Sequence, residues 1–261
     1  LIKYFNFLTV NINQFYIKKI FSFGLPIAFA SLVYYFVDGV DRFLIKDLLD
    51  IKQVGIYALA YSLGRIINVV LVSPFGMVWA PLRMEYFNDK NTDAKTFKDF
   101  SKLVTSYYTI FGVTLIIFLT LFGENLLKLF FSNQAYFDGF KILPIILFSF
   151  FLLGYQNILD FGIYQTNRSK FYLIISIFSL IINISLNLWL IPIYGIFAAA
   201  FTTMITYLFN VITVYLISMR YYKMSIDFNR ILNPIIILSL TYYLLLIYNL
   251  SLILKSLIFT L

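Results

Sequence analysis

The sequence predicts an all-α protein, a polytopic bundle of about seven or eight transmembrane helices. Composition is the first reason. Of 261 residues, 61% are hydrophobic and only 12% charged, with a mean hydropathy of +0.88. A water-facing surface draws on roughly 25% charged residues, so half that share leaves lipid as the solvent. The second reason is a recurrence of apolar runs near the ~20 residues that cross a bilayer core. The third is an alternation of basic residues from loop to loop. Strand-period alternation is missing, which argues against a transmembrane β-barrel.

The first span covers residues 21–37, opening after Lys18 and Lys19 with Gly24 and Pro26 in its first turns. The second, 55–80, is interrupted by Arg65 and closes at Trp79 and Pro81. Further spans lie at 103–122, 142–164, 171–191 and 195–218. The stretch 231–261 holds only Lys255 and fits one span to Tyr248 and part of a second beyond Asn249. The organisation expected is an arm at 1–20, a six-helix lobe at 21–218 with a connector at 81–102, and one or two more helices at 219–261.

Basic residues are retained on the cytoplasmic side of a membrane. The arm, the connector and the loops near 168–170 and 220–230 together carry thirteen Lys and Arg, against five in the alternate loops. The arm and connector are therefore expected in the cytoplasm, and the net charge of +8 reads as a topology signal with no nucleic-acid partner. Residue 1 is Leu and no signal-peptide pattern opens the chain, so the expectation is a piece lacking its natural start.

The chain has no His and no Cys. It supplies no disulfide, thiolate nucleophile, zinc-finger-type site or histidine base, and no metal or cofactor is expected. Glycine-rich phosphate loops are absent too.

Charge within a span costs at least about 2.5 kcal/mol, so such residues face a cavity or a partner. Ser62, Arg65 and Asn68 fall on one helical stripe beside Tyr61. That stripe either lines a polar cavity, where an arginine fork matches phosphate or carboxylate oxygens, or holds an arginine that is paired with an acid on a neighbouring helix or snorkels outward. Gln156, Asn157, Asp160 and Tyr164 form a second stripe. Asp160 either takes up a proton or cation during transport or is a carboxylate near the interface. Asn183 and Asn187, four apart, read as interhelical glue. Asp38, Asp41 and Arg42 read as structural, an Asp to Arg link fixing the outer loop. The connector reads as a solvated helical hairpin, either a connector with no binding role or one whose Phe87, Phe97 and Phe100 rest on headgroups beside lysines that attract anionic lipid. Residues 124–131 read as a short interfacial helix.

Several motifs together resemble bacterial polysaccharide-repeat flippases. These are Gly24-Leu25-Pro26, Asp41-Arg42-Phe43-Leu44, Val54-Gly55-Ile56-Tyr57-Ala58-Leu59-Ala60-Tyr61, Trp79-Ala80-Pro81, Gly162-Ile163-Tyr164-Gln165-Thr166, and Asn183 to Asn187 leading into Ile191-Pro192-Ile193-Tyr194-Gly195-Ile196. The resemblance covers nearly the whole chain and implies the second lobe of a two-lobe exporter of the oligosaccharide-lipid and multidrug superfamily. It further implies alternating-access movement of an undecaprenyl-pyrophosphate-linked sugar repeat across the bacterial inner membrane, with cationic cavity residues meeting the pyrophosphate and sugar acids. Arg65 is the position that fits that role. The partners implied are the lipid-linked oligosaccharide, membrane lipids, the missing first lobe and polysaccharide polymerase machinery.

A cation-coupled multidrug exporter of the same fold would need buried acids in its cavity, and only Asp160 lies inside a span here. A membrane polymerase or acyltransferase would need a large outer loop or a histidine. A structural subunit is the remaining alternative.

Overall fold

A computed structural model describes residues 14–88, 94–130, 134–223 and 226–247. Helix α1 is Gln14–Leu48, α2 Ile51–Gly64 and α3 Ser73–Asn88. Then come α4 (Ala94–Phe130), α5 (Leu143–Leu159), the short α6 (Phe161–Gln165), α7 (Lys170–Tyr194), α8 (Ile196–Tyr221) and α9 (Phe228–Ile247). Among the described residues all regular structure is helical, as the composition predicts. Five stretches are long and apolar enough to cross a membrane: Gln14–Leu48, Ile51–Asn88, Lys95–Gly123, Lys170–Tyr194 and Ile196–Tyr221. Leu143–Leu159 is a shorter apolar helix. The chain is a multi-pass membrane protein.

Helix ends reach past the apolar runs, because backbone hydrogen bonding continues after the side chains turn polar. Helix α1 starts at Gln14, so Lys18 and Lys19 lie in its first turns and only residues 1–13 of the expected arm fall outside the described residues. The connector is largely the ends of α3 and α4. Residues 124–130 continue α4 without a break, which replaces the separate interfacial helix expected there. The final half-span beyond Asn249 lies outside the described residues.

Local chemistry sets the breaks. Asp50 caps α2, its side chain accepting the Gln53 N–H at 2.8 Å. Between α2 and α3 a wide π-turn spans Asn68–Val72, and the Ser73 N–H reaches back five residues to Asn68. Pro74 comes next and cannot donate, so the regular ladder fails at this point. Pro26 inside α1 frees the Ser22 carbonyl, and the Ser169 hydroxyl donates to it at 3.5 Å. Gly195 joins α7 to α8 at φ 62°, a left-handed conformation natural to glycine.

Helix α1 packs on α7, α7 on α8, α8 on α5, and α4 on α9. The core draws Tyr57, Tyr61 and Ile67 against Ile146, Leu147, Phe150 and Phe151 of α5, and Ala198 to Ala200 of α8. Phe87, Phe97 and Phe161 pack edge-on around Tyr222. Phe97 is buried and Phe100 stacks on Tyr86, with ring centroids 4.3 Å apart. These rings join α3, α4 and α6 rather than resting on headgroups, since burying them in a protein core removes the same apolar area without leaving α4 unpacked.

A polar ladder binds α7 to α8. Asn183 donates to Thr206, Asn187 donates to Asn183 at 3.0 Å, Thr202 donates to Asn187, and Ser179 meets Asn210. The interhelical role that the sequence suggests for Asn183 and Asn187 thus has its partners in the structure.

Candidate substrate groove

Part of each polar stripe read from the sequence meets in one hollow: Arg65 and Asn68 from the first, and Gln156, Asn157 and Asp160 from the second. A hollow of about 690 Å³ between α1, α3 and α5 is lined by Trp79, Arg83, Gln156, Asn157 and Asp160, among others. An adjoining hollow of about 340 Å³ includes Asp38, Arg65 and Tyr207. Ser31, Tyr34, Asn68 and Leu153 line both, so the two form one continuous groove.

At one end Arg65 donates to the Asp38 carboxylate at 2.6 Å, and its side chain stays 48% exposed. Asp38 also accepts the Tyr61 hydroxyl, and the Arg65 guanidinium lies 5.6 Å from the Tyr61 ring. Arg65 thus pairs with an acid on α1 and lines the groove. Asn68 shares the groove, its Oδ1 accepting the Ser73 hydroxyl at 3.1 Å. Ser62 departs from the expected stripe. Its hydroxyl donates to Ala58 of its own helix at 2.8 Å and it does not line the groove, because α2 ends at Gly64 and the π-turn reorients the chain beyond it.

At the other end Arg83 donates to Asp160 at 2.5 Å and to the Asn157 carbonyl at 3.1 Å. Its guanidinium carbon lies 5.0 Å from the Tyr164 ring. The Tyr172 hydroxyl donates to the second Asp160 oxygen at 2.7 Å. Asp160 is thus clamped by α3 and α7 at the break between α5 and α6. Gln156 Nε2 donates to the Tyr34 hydroxyl at 3.3 Å. Sequence reasoning misses Arg83 and Asp38 as groove residues. Arg83 reads as a loop cation, although it stands one helical turn after Trp79, a spacing that places both on one face.

The expected Asp to Arg link on α1 is corrected. Arg42 donates to the backbone carbonyl of Asp38 at 2.9 Å and lies over the Tyr61 ring at 4.6 Å, while the Asp38 carboxylate goes to Arg65. Asp41 turns inward and is fully buried. It accepts Tyr57, Asn187 and Thr203, each at 2.7 Å, so one carboxylate clamps α1 to α2, α7 and α8. A donor-rich interior replaces the expected outer-loop contact, because a buried carboxylate demands hydrogen bonds. No cluster of His, Cys, Asp and Glu among the described residues is arranged to hold a metal.

Comparisons with known proteins agree with the resemblance carried by the motifs. Residues 1–87 match the family described as polysaccharide biosynthesis protein. Over 216 residues the chain is 27% identical to the capsular polysaccharide biosynthesis protein CapF of Staphylococcus aureus, covering 82% of this chain and 53% of that protein. It is 28% identical over 200 residues to the uncharacterized membrane protein MJ1375 of Methanocaldococcus jannaschii, covering 76% of this chain and 45% of that protein. The chain spans about half the length of the curated relatives it matches. No solved structure matches it significantly.

Proposed function

We propose, for a chain whose first 87 residues match the polysaccharide biosynthesis family, that it forms one lobe of a bacterial plasma-membrane flippase. The flippase carries a polyprenyl-pyrophosphate-linked oligosaccharide repeat from the cytoplasmic to the outer leaflet for surface polysaccharide assembly. It is a transporter and performs no bond chemistry. The observation that carries this reading is the continuous polar groove joining Arg65 and Asn68 to Gln156, Asn157 and Asp160 on a bundle otherwise clothed in apolar side chains.

A hydrated sugar head cannot cross about 30 Å of hydrocarbon unaided, whereas its polyprenyl tail is at home there. The protein need only shelter the head. The groove supplies hydroxyls, amides and the half-exposed Arg65, whose unused guanidinium donors suit phosphate oxygens. A second lobe rocking against this one about a midplane site would give alternating access, and one lobe alone encloses no path. The positive-inside count orients the connector to the cytoplasm. The rival reading, export of cationic drugs, is less favoured because the groove acids Asp38 and Asp160 each already hold an arginine.

Deletion of the full-length parent gene tests the proposal. Polyprenyl-pyrophosphate-linked repeats are expected to accumulate on the inner leaflet and to clear on rescue with wild type. Absence of accumulation, with altered drug sensitivity, would overturn the flippase reading in favour of the multidrug one.

A further inference from the structure

The groove is charge-balanced along its length. Asp38 neutralises Arg65 at one end and Asp160 neutralises Arg83 at the other, the second pair having side chains only 13% and 6% exposed. Between the pairs the wall offers only hydroxyls and amides among its polar side chains, from Ser31, Tyr34, Asn68, Ser73, Gln156 and Asn157. Two observations mark this stretch as unfinished. Gln156 is 7% exposed, and its Oε1 has no partner although its Nε2 is taken by Tyr34. Trp79 Nε1, on the facing α3, is likewise unpartnered at 2% exposure. Leaving a buried donor or acceptor unpaired costs about 1–3 kcal/mol, so each is a standing demand for a complementary group. Ser31 and Asn157 are exposed in the same hollow, where polar side chains at membrane depth need water or a ligand rather than lipid.

We infer that this middle stretch is a subsite for an uncharged polyhydroxylated ring, a neutral hexose or N-acetylhexosamine. Each sugar hydroxyl both donates and accepts, which matches a wall holding the amide oxygen of Gln156 beside the donors of Asn157 and Trp79. Met77 and Leu153 add apolar side chains to the same lining. A sugar acid is disfavoured there, because the cations of the lining stand at the two ends of the groove, Arg65 beside Asp38 and Arg83 enclosed with Asp160, and none faces the middle stretch. The inference rests on the carrier reading and sharpens it. Pyrophosphate is assigned to the Arg65 end, and the first recognised sugar is neutral.

The test uses the full 261-residue chain in phosphatidylcholine nanodiscs with four separate probes: methyl N-acetylglucosaminide, methyl glucoside, methyl glucuronide and inorganic pyrophosphate. Saturation-transfer NMR titrations are expected to give at least one neutral glycoside an affinity about tenfold tighter than the glucuronide, a discrimination of about 1.4 kcal/mol. Asn157→Leu and Ser31→Ala, both at exposed positions that leave the core untouched, should each weaken the neutral glycoside severalfold and leave pyrophosphate unchanged. Equal or tighter glucuronide binding would overturn the subsite, as would absence of glycoside binding or its persistence in both variants. Neutral glycoside binding without pyrophosphate binding would uphold the subsite and count instead against the anion site at Arg65.

Discussion

Arg83 and Asp160 stand 77 positions apart in the chain, yet the guanidinium of one lies 2.5 Å from the carboxylate of the other. Removing one partner of a largely buried pair leaves an uncompensated charge and costs about 3–5 kcal/mol, whereas replacing both with apolar groups is often near neutral. Arg83→Met and Asp160→Leu should therefore each lower the thermal midpoint of the detergent-solubilised protein by more than the double variant does. A double variant as unstable as the sum of its singles would contradict this.

Asp41 sets a second expectation. Asp41→Ala strands the Tyr57 hydroxyl and one Asn187 N–H, while Thr203 keeps the Ala199 carbonyl at 3.0 Å. The loss should be about 3 kcal/mol or more, given about 1–3 kcal/mol for each stranded group and partial relaxation. Denaturation monitored by tryptophan fluorescence would read it, and a midpoint unchanged from wild type would refute the clamp.

Arg65 behaves differently because it is half exposed. Arg65→Ala should leave the melting midpoint nearly unchanged, exposed pairs being worth about 0–1 kcal/mol. In the deletion strain it should fail to clear accumulated lipid-linked repeats, and Arg65→Lys should rescue only in part because a lysine lacks the planar fork. Full rescue by Arg65→Ala would remove Arg65 from the substrate path.

Gly162 brings the backbone of α6 hard against α8. A Cβ placed there would overlap the Ser218 carbonyl oxygen, and the Gly162 N–H donates to the Ser218 hydroxyl at 2.8 Å. Gly162→Ala should push α6 from α8 and cost about 1–3 kcal/mol, the usual penalty of overpacking. A thermal midpoint within error of wild type would show that the two helices separate without cost.

Much of this is legible in the sequence, for reasons specific to particular residues. A charge in an apolar run is visible in one dimension, so Arg65 and Asp160 stand out. Their partners do not. Asp38 pairs across 27 positions, and no local spacing encodes a contact between helices. Arg83 is hidden because it comes after Pro81 at the end of a run, where arginine ordinarily signals a loop. Ser62 is drawn into the stripe by a regular helical period that the π-turn at Asn68–Val72 breaks. Phe97 shows only that it is apolar, which does not distinguish lipid from a neighbouring ring.

The single-residue reversal at Gly195 and the amide and hydroxyl rungs between α7 and α8 make those two helices a splint. Bending it would mean breaking several enclosed rungs at once. The regular backbone ladder is interrupted instead along the groove, where α1 carries Pro26 and the α2 to α3 rod carries its wide turn. The groove is thus walled by α1 and the α2 to α3 rod, which bear Asp38, Arg65 and Arg83, set against α5, which stands on the braced α8 and receives from it Tyr207.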